Sequence, residues 1–136
     1  MFCGIQADTA APTNIEPATQ INCIGVGHGA ADTNLKLFNA GSVAQTPIDL
    51  GANYPITPGS AYELVLYCPA GSAFINWQVT RLDAIITPAS GTLSGTAGTA
   101  IPGPSTLMSY CWNWRCNNTT ALTTTWDLIS DYIETD

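Results

Sequence analysis

AYELVLYCPAGSAFINWQVTRL, residues 61–82, sets two alternating apolar runs on either side of a short Pro-Ala-Gly-Ser turn. In the first run Tyr62, Leu64, Leu66 and Cys68 fall on one side of a period-two ribbon, with Glu63, Val65 and Tyr67 on the other. In the second, Ile75, Trp77, Val79 and Arg81 alternate against Phe74, Asn76, Gln78 and Thr80. A two-residue period is the mark of a strand with one covered face. Pro69 cannot donate to a ladder and Gly71 tolerates positive φ, so both belong to the connection, and the segment predicts an antiparallel β-hairpin. A hairpin alone is marginal in water. It therefore requires a sheet, in whose middle it is expected to lie, and a second layer over its apolar face.

The flanking chain supplies short strands of the same kind. Residues 1–7, MFCGIQA, have strand character, and an edge beginning at Met1 is expected to need cover from a partner subunit. Pro12 and Pro17 mark a connection, with at most one helical turn at residues 14–16. In INCIGVGH, residues 21–28, the glycines at 25 and 27, with Gly29 beyond, share one face, and a face without side chains lets a backbone or a bulky residue come close. Shorter strands are predicted at 34–38, 46–50 and 91–96, the last with little to bury, followed by an extended, proline-braked crossover at 97–105. TLMSYCWNWRC, residues 106–116, puts Met108, Tyr110, Trp112 and Trp114 on one face, which reads as core, and a long final strand is predicted over 121–135. About eight or nine strands with Gly/Pro-rich turns and almost no helix predict an all-β fold, an antiparallel β-sandwich or jelly roll, as one domain over residues 1–136.

Composition bounds what such a fold can do. Ten acidic and three basic residues give a net charge of −7, which repels phosphate backbones and anionic membranes, so neither nucleic acid nor a membrane is an expected partner. Charged residues make up only 10% of the chain. Much apolar surface is left without charged cover, and this predicts a homo-oligomer. Met-Phe-Cys-Gly-Ile is not a basic segment leading into an apolar one, so production in the cytoplasm is expected. The five cysteines show no CxxC spacing, and they read as reduced and mostly buried.

Chemistry-bearing motifs are sparse. His28 is the single histidine, which leaves zinc without a second imidazole, and it reads as a satisfied polar residue at a strand end. GVGHG lacks the spacing of a phosphate loop, and Asp32-Thr33-Asn34 lacks the glycine and distant glutamate of a calcium loop. No metal or cofactor is predicted, and the scattered carboxylates predict no catalysis. Trp112, Trp114, Arg115 and Asn117 have the composition of a sugar-binding surface, with rings for a pyranose face beside polar side chains. The same residues also fit a core or a subunit interface.

The succession NCIGVG, AADTNLKLF, IDLGANYP, YELVLYCPAGS, VTRLD and the closing SDYIETD resembles small all-β domains of tailed-bacteriophage virion proteins, over nearly the whole chain. A Trp-Arg-Asn-Asn run typical of those domains stands here as Trp114-Arg115-Cys116-Asn117-Asn118. The resemblance implies a structural component of the virion, in a fibre, an appendage, or a capsid or tail decoration. It implies assembly as a homo-oligomer, a trimer by analogy with such appendages, in contact with other virion proteins. The alternative is a carbohydrate-binding module on the same virion that recognises a host-surface glycan.

Overall fold

Alternation in the sequence becomes eight strands in a computed structural model that describes residues 1–7, 16–69, 72–113 and 129–133. They are β1 (Phe2–Gln6), β2 (Cys23–Gly27), β3 (Lys36–Ala40), β4 (Ile48–Asp49), β5 (Tyr62–Tyr67), β6 (Phe74–Arg81), β7 (Ala89–Ser94) and β8 (Ser109–Asn113). A single 3-10 turn, Pro17–Thr19, is the helical element among the described residues. The strands form two antiparallel sheets, one of five strands in the order β4-β3-β2-β1-β8 and one of three in the order β5-β6-β7. The fold is all-β and sandwich-like, as the periodicity predicts.

The two sheets meet through the faces that the alternation marks as apolar. Ile75, Trp77 and Val79 of β6 and Leu93 of β7 are buried against Ile24 and Val26 of β2 and Leu37 of β3. Tyr62, Leu64 and Leu66 of β5 pack on the same core from its margin. The hairpin register, Leu64 opposite Val79 and Leu66 opposite Trp77, puts both apolar sets on one side. Slipping it by one residue would turn every one of them to solvent. At the hairpin's open end Arg81 holds Asp83 through its Nε and one terminal nitrogen and donates to the Asn53 carbonyl, while Asp83 accepts the Ala61 N–H.

The five-stranded sheet is covered on its other face as well, because that face carries glycines and rings. Phe2, Cys23, Phe38 and Ala40 form a second buried cluster. Gly4 and Gly25 stand opposite each other, and Gly25 also stands opposite Phe38. A Cβ added at Gly25 would collide with the Cys3 carbonyl oxygen and lie 2.7 Å from the Phe2 ring. The bare face expected at residues 25 and 27 is therefore filled by Phe2, which meets Phe38 edge-on at 6.3 Å between ring centroids.

Several expectations are corrected. Among the described residues the hairpin does not lie wholly inside a sheet: β6 is central and β5 has β6 as its one neighbour, because β7 follows β6 directly and pairs on its free side. The strand that begins at Met1 is not an edge, since β8 returns antiparallel beside β1 and places it between β8 and β2. β7 buries little, as expected, with Leu93 its single buried side chain. The crossover after β7 is strapped down before it reaches β8. Thr99 accepts the N–H groups of Gly41 and Val43, and Ala100 accepts the Asn39 amide. Of the long last strand predicted over 121–135, residues 129–133 carry no strand and leave Ile129 80%, Tyr132 83% and Ile133 65% exposed; the rest lies outside the described residues.

Tyr54, in the loop before β5, ties the layers together. Its carbonyl accepts the Leu35 N–H at 2.8 Å, at the entrance to β3. Its buried hydroxyl accepts the Ala89 N–H at 2.6 Å and shares its proton between the carbonyls of Val79, at 3.0 Å, and Thr87, at 3.3 Å. Its ring stacks on Tyr62. Tyr54→Phe keeps the ring and strands these partners, so it is expected to cost about 1–3 kcal/mol. A lowered denaturant midpoint with unchanged slope would be the measurement.

Candidate functional site

The residues that sequence reasoning offered as a site are not a described cluster. Trp112 falls in β8, where its backbone stands opposite Cys3. Trp114, Arg115 and Asn117 lie outside the described residues. Of the face predicted as core, Met108 is half-buried, and Tyr110, 37% exposed, stands opposite Ile5, which packs on the margin of the core between the sheets. Burial, the Cys3 thiol and the charge of Asp131 together push the Tyr110 phenol up to about 12. Residues near 131 therefore run close enough to β8 for their charge to be felt there.

Charged groups gather where the chain enters and leaves β2 and β3. The Met1 ammonium donates to the His28 carbonyl at 2.7 Å, and the His28 N–H returns to the Met1 carbonyl at 2.8 Å. Asp32 accepts the Gly29 N–H at 2.7 Å and pairs with Lys36 at 2.5 Å, while Glu16 accepts the Ala30 N–H at 3.4 Å. Burial would raise the Asp32 carboxyl, but the bonds from Lys36 and Gly29 outweigh it and hold it below the usual carboxylate range. A depression of about 290 Å3 lies beside this cluster, over Phe38 and Pro47. These charges satisfy one another and fasten the loop. His28 is the satisfied strand-end residue that the sequence suggests, its ring Nδ1 bonded to the Gly29 carbonyl at 2.9 Å. Cys68, by contrast, is an exposed free thiol, because it stands just beyond the last paired residue of β5.

A second depression crosses the outer face of the three-stranded sheet. Side chains there stand in cross-strand rows: Tyr67, Asn76 and Thr92 form one, and Val65, Gln78 and Ser90 the next. Between the rows, at Trp77 and Gly91, lies a groove of about 410 Å3. Tyr67 is 57% and Val65 46% exposed at its β5 end. Thr92 Oγ1 donates to Asn76 Oδ1 at 2.9 Å, and Gln78 Nε2 donates to Thr80 Oγ1 at 3.2 Å. The alternation had already turned Val65, Tyr67, Asn76 and Gln78 to one side. The pairing of β7 that brings Ser90 and Thr92 alongside them has no signal in the sequence.

Among the described residues no three His, Cys, Asp or Glu side chains come together as a metal site, and no helix is long and apolar enough to cross a membrane. No family model, curated protein or solved structure matches the chain.

The half-buried His28 gives a pH signature. Burial, reinforced by the nearby N-terminal ammonium, holds its imidazole below the ordinary 6.5 against the pull of Gly29, Asp32 and Glu16. The folded chain keeps the ring neutral while the unfolded chain binds a proton. Stability is therefore expected to fall as pH drops from about 7 to about 5. His28→Gln should flatten that part of the profile. Thermal melts of both proteins across the interval would read it.

Proposed function

We propose that this chain is a structural component of a bacteriophage virion, a fibre, appendage, or capsid or tail decoration protein, that works by assembly and performs no catalysis. It is made in the bacterial cytoplasm and incorporated into the particle, where it meets copies of itself, as a trimer, and other virion proteins. The sequence resemblance supports the virion and the threefold state.

The observation that carries assembly is the apolar surface beside β8. Leu107 is 90%, Ile129 80%, Tyr132 83% and Ile133 65% exposed. Leu107 lies just before β8, and the Asp131 charge felt at Tyr110 brings the 129–133 segment near the same strand; bared apolar side chains of this kind are what an interface covers in an assembled complex. Only 10% of the chain is charged, so little else limits contact between copies.

Light scattering on the purified chain is expected to give three times the 14.3-kDa chain mass, with unfolding that shifts to higher temperature as concentration rises. Leu107→Glu with Ile129→Glu should drive the assembly towards monomers while leaving the strand signature in circular dichroism unchanged. A wild-type monomer at micromolar concentration, with unfolding independent of concentration, would refute the assembly.

A further inference from the structure

The groove on the outer face of β5, β6 and β7 has hydrogen-bonding capacity that the fold does not use. The Asn76 carbonyl oxygen accepts the Thr92 hydroxyl, and the Asn76 amide hydrogens, on a residue that lines the groove, make no bond among the described residues. Gln78 has the reverse state, because its amide nitrogen donates to Thr80 and its carbonyl oxygen keeps its acceptor capacity. Asn76 and Gln78 are two residues apart on one face of β6, roughly 7 Å along the strand. A donor and an acceptor thus stand on the two sides of the groove. The hydroxyl of Ser90 adds to the Gln78 side, and the exposed ring of Tyr67 closes the β5 end.

Four chemistries could occupy such a face, and the groove distinguishes them. A charged ligand finds no counter-charge, since the side chains that line it are all neutral and the chain as a whole carries −7. An extended peptide takes its bonds from the free backbone of a sheet edge, whereas the floor at Trp77 and Gly91 lies within the ladder of β5, β6 and β7. A second copy of the chain docked by apolar contact would have to desolvate two amides and three hydroxyls. A neutral saccharide meets none of these obstacles. Each of its hydroxyls both donates and accepts, and the C–H face of a sugar ring lies well against an aromatic ring.

We propose that this groove binds a neutral saccharide, one ring resting on Tyr67 and its hydroxyls set between the Asn76 amide nitrogen and the Gln78 amide oxygen. The site is separate from the apolar surface beside β8, and it neither requires nor replaces the assembly there. It also differs from the tryptophan-containing segment that composition alone suggests.

The test uses the whole chain in its native assembly. A glycan array followed by titration of the retained neutral oligosaccharides is expected to show binding in the millimolar to micromolar range, with sialylated or sulfated glycans bound no better than their neutral counterparts. Tyr67→Ala and Gln78→Ala, both at exposed positions, should each weaken binding about tenfold without changing the melting temperature or the assembled mass. Proton–nitrogen spectra of the wild-type protein give a readout that needs no variant: the side-chain amides of Asn76 and Gln78 should shift as methyl glycosides are added. The proposal is overturned by binding to no neutral glycan at about 10 mM. It is equally overturned if binding survives both substitutions, if the amide signals stay fixed while ligand binds, or if the substitutions change the assembled mass, which would make this face a contact between copies.

Discussion

The Tyr54 hydroxyl sits where the two sheets must agree on their spacing. A sandwich has no backbone bonds between its layers, so the apolar contact of Trp77, Val79 and Leu93 with Ile24, Val26 and Leu37 leaves the sheets free to slide unless something directional fixes them. Tyr54 provides that direction. Its main chain is bonded to Leu35, which leads into the five-stranded sheet, and its side chain is bonded to β6 and β7 of the other. Because the hydroxyl is buried, no water competes for the Ala89 N–H or the Val79 carbonyl. The register of β7 against β6 follows, and with it the rows that border the outer groove.

The five-stranded sheet depends on a different constraint, the lack of side chains at its centre. With Gly4 facing Gly25 and Gly25 facing Phe38, there is no space for a Cβ in the middle of the face. Phe2 fills that space, so the first residues of the chain lie in the sheet interior. The Met1 ammonium, bonded to the His28 carbonyl, completes the β1 and β2 ladder at its end. A strand so placed has both edges paired, by β2 on one side and β8 on the other, although its partners lie far apart in the sequence.

Much of this is legible in the sequence. The period of two in residues 61–82 gives the hairpin and its buried face, because alternation in a half-covered strand is a direct record of which side meets the core. Glycines at 25 and 27 announce a close approach. What the pattern does not carry is the neighbour of each strand. Nothing local in Phe2 or Tyr110 says that β1 and β8 pair across more than a hundred residues, and nothing in Ser90 says that it will stand beside Gln78. Tyr54 escaped notice because it is a lone aromatic in a loop between glycine and proline, without the periodicity that marks a core residue. The tryptophan pattern gave composition without surroundings. The same rings would suit a core, an interface or a sugar, and only the neighbours decide.

Electrostatics then determines what kind of recognition is left to the surface. Of the three basic residues, Lys36 is paired with Asp32 and Arg81 with Asp83, each at a point where the chain reverses. The Asp83 carboxyl is held down to about 2, chiefly by its bonds from Arg81, so this pair stays charged through the whole physiological range. Exposed pairs of this sort contribute little to global stability. Their effect is local: they use the positive charge in fastening loops. Among the described residues the remaining side chains are neutral or acidic, and with a net charge of −7 the chain does not attract anionic partners by long-range fields. A surface of that kind recognises by contact, through bared apolar side chains where two proteins meet and through paired amide donors and acceptors where a neutral polar ligand fits. The region beside β8 has the first character, next to the five-stranded sheet, and the outer face of β5, β6 and β7 has the second, on the three-stranded sheet.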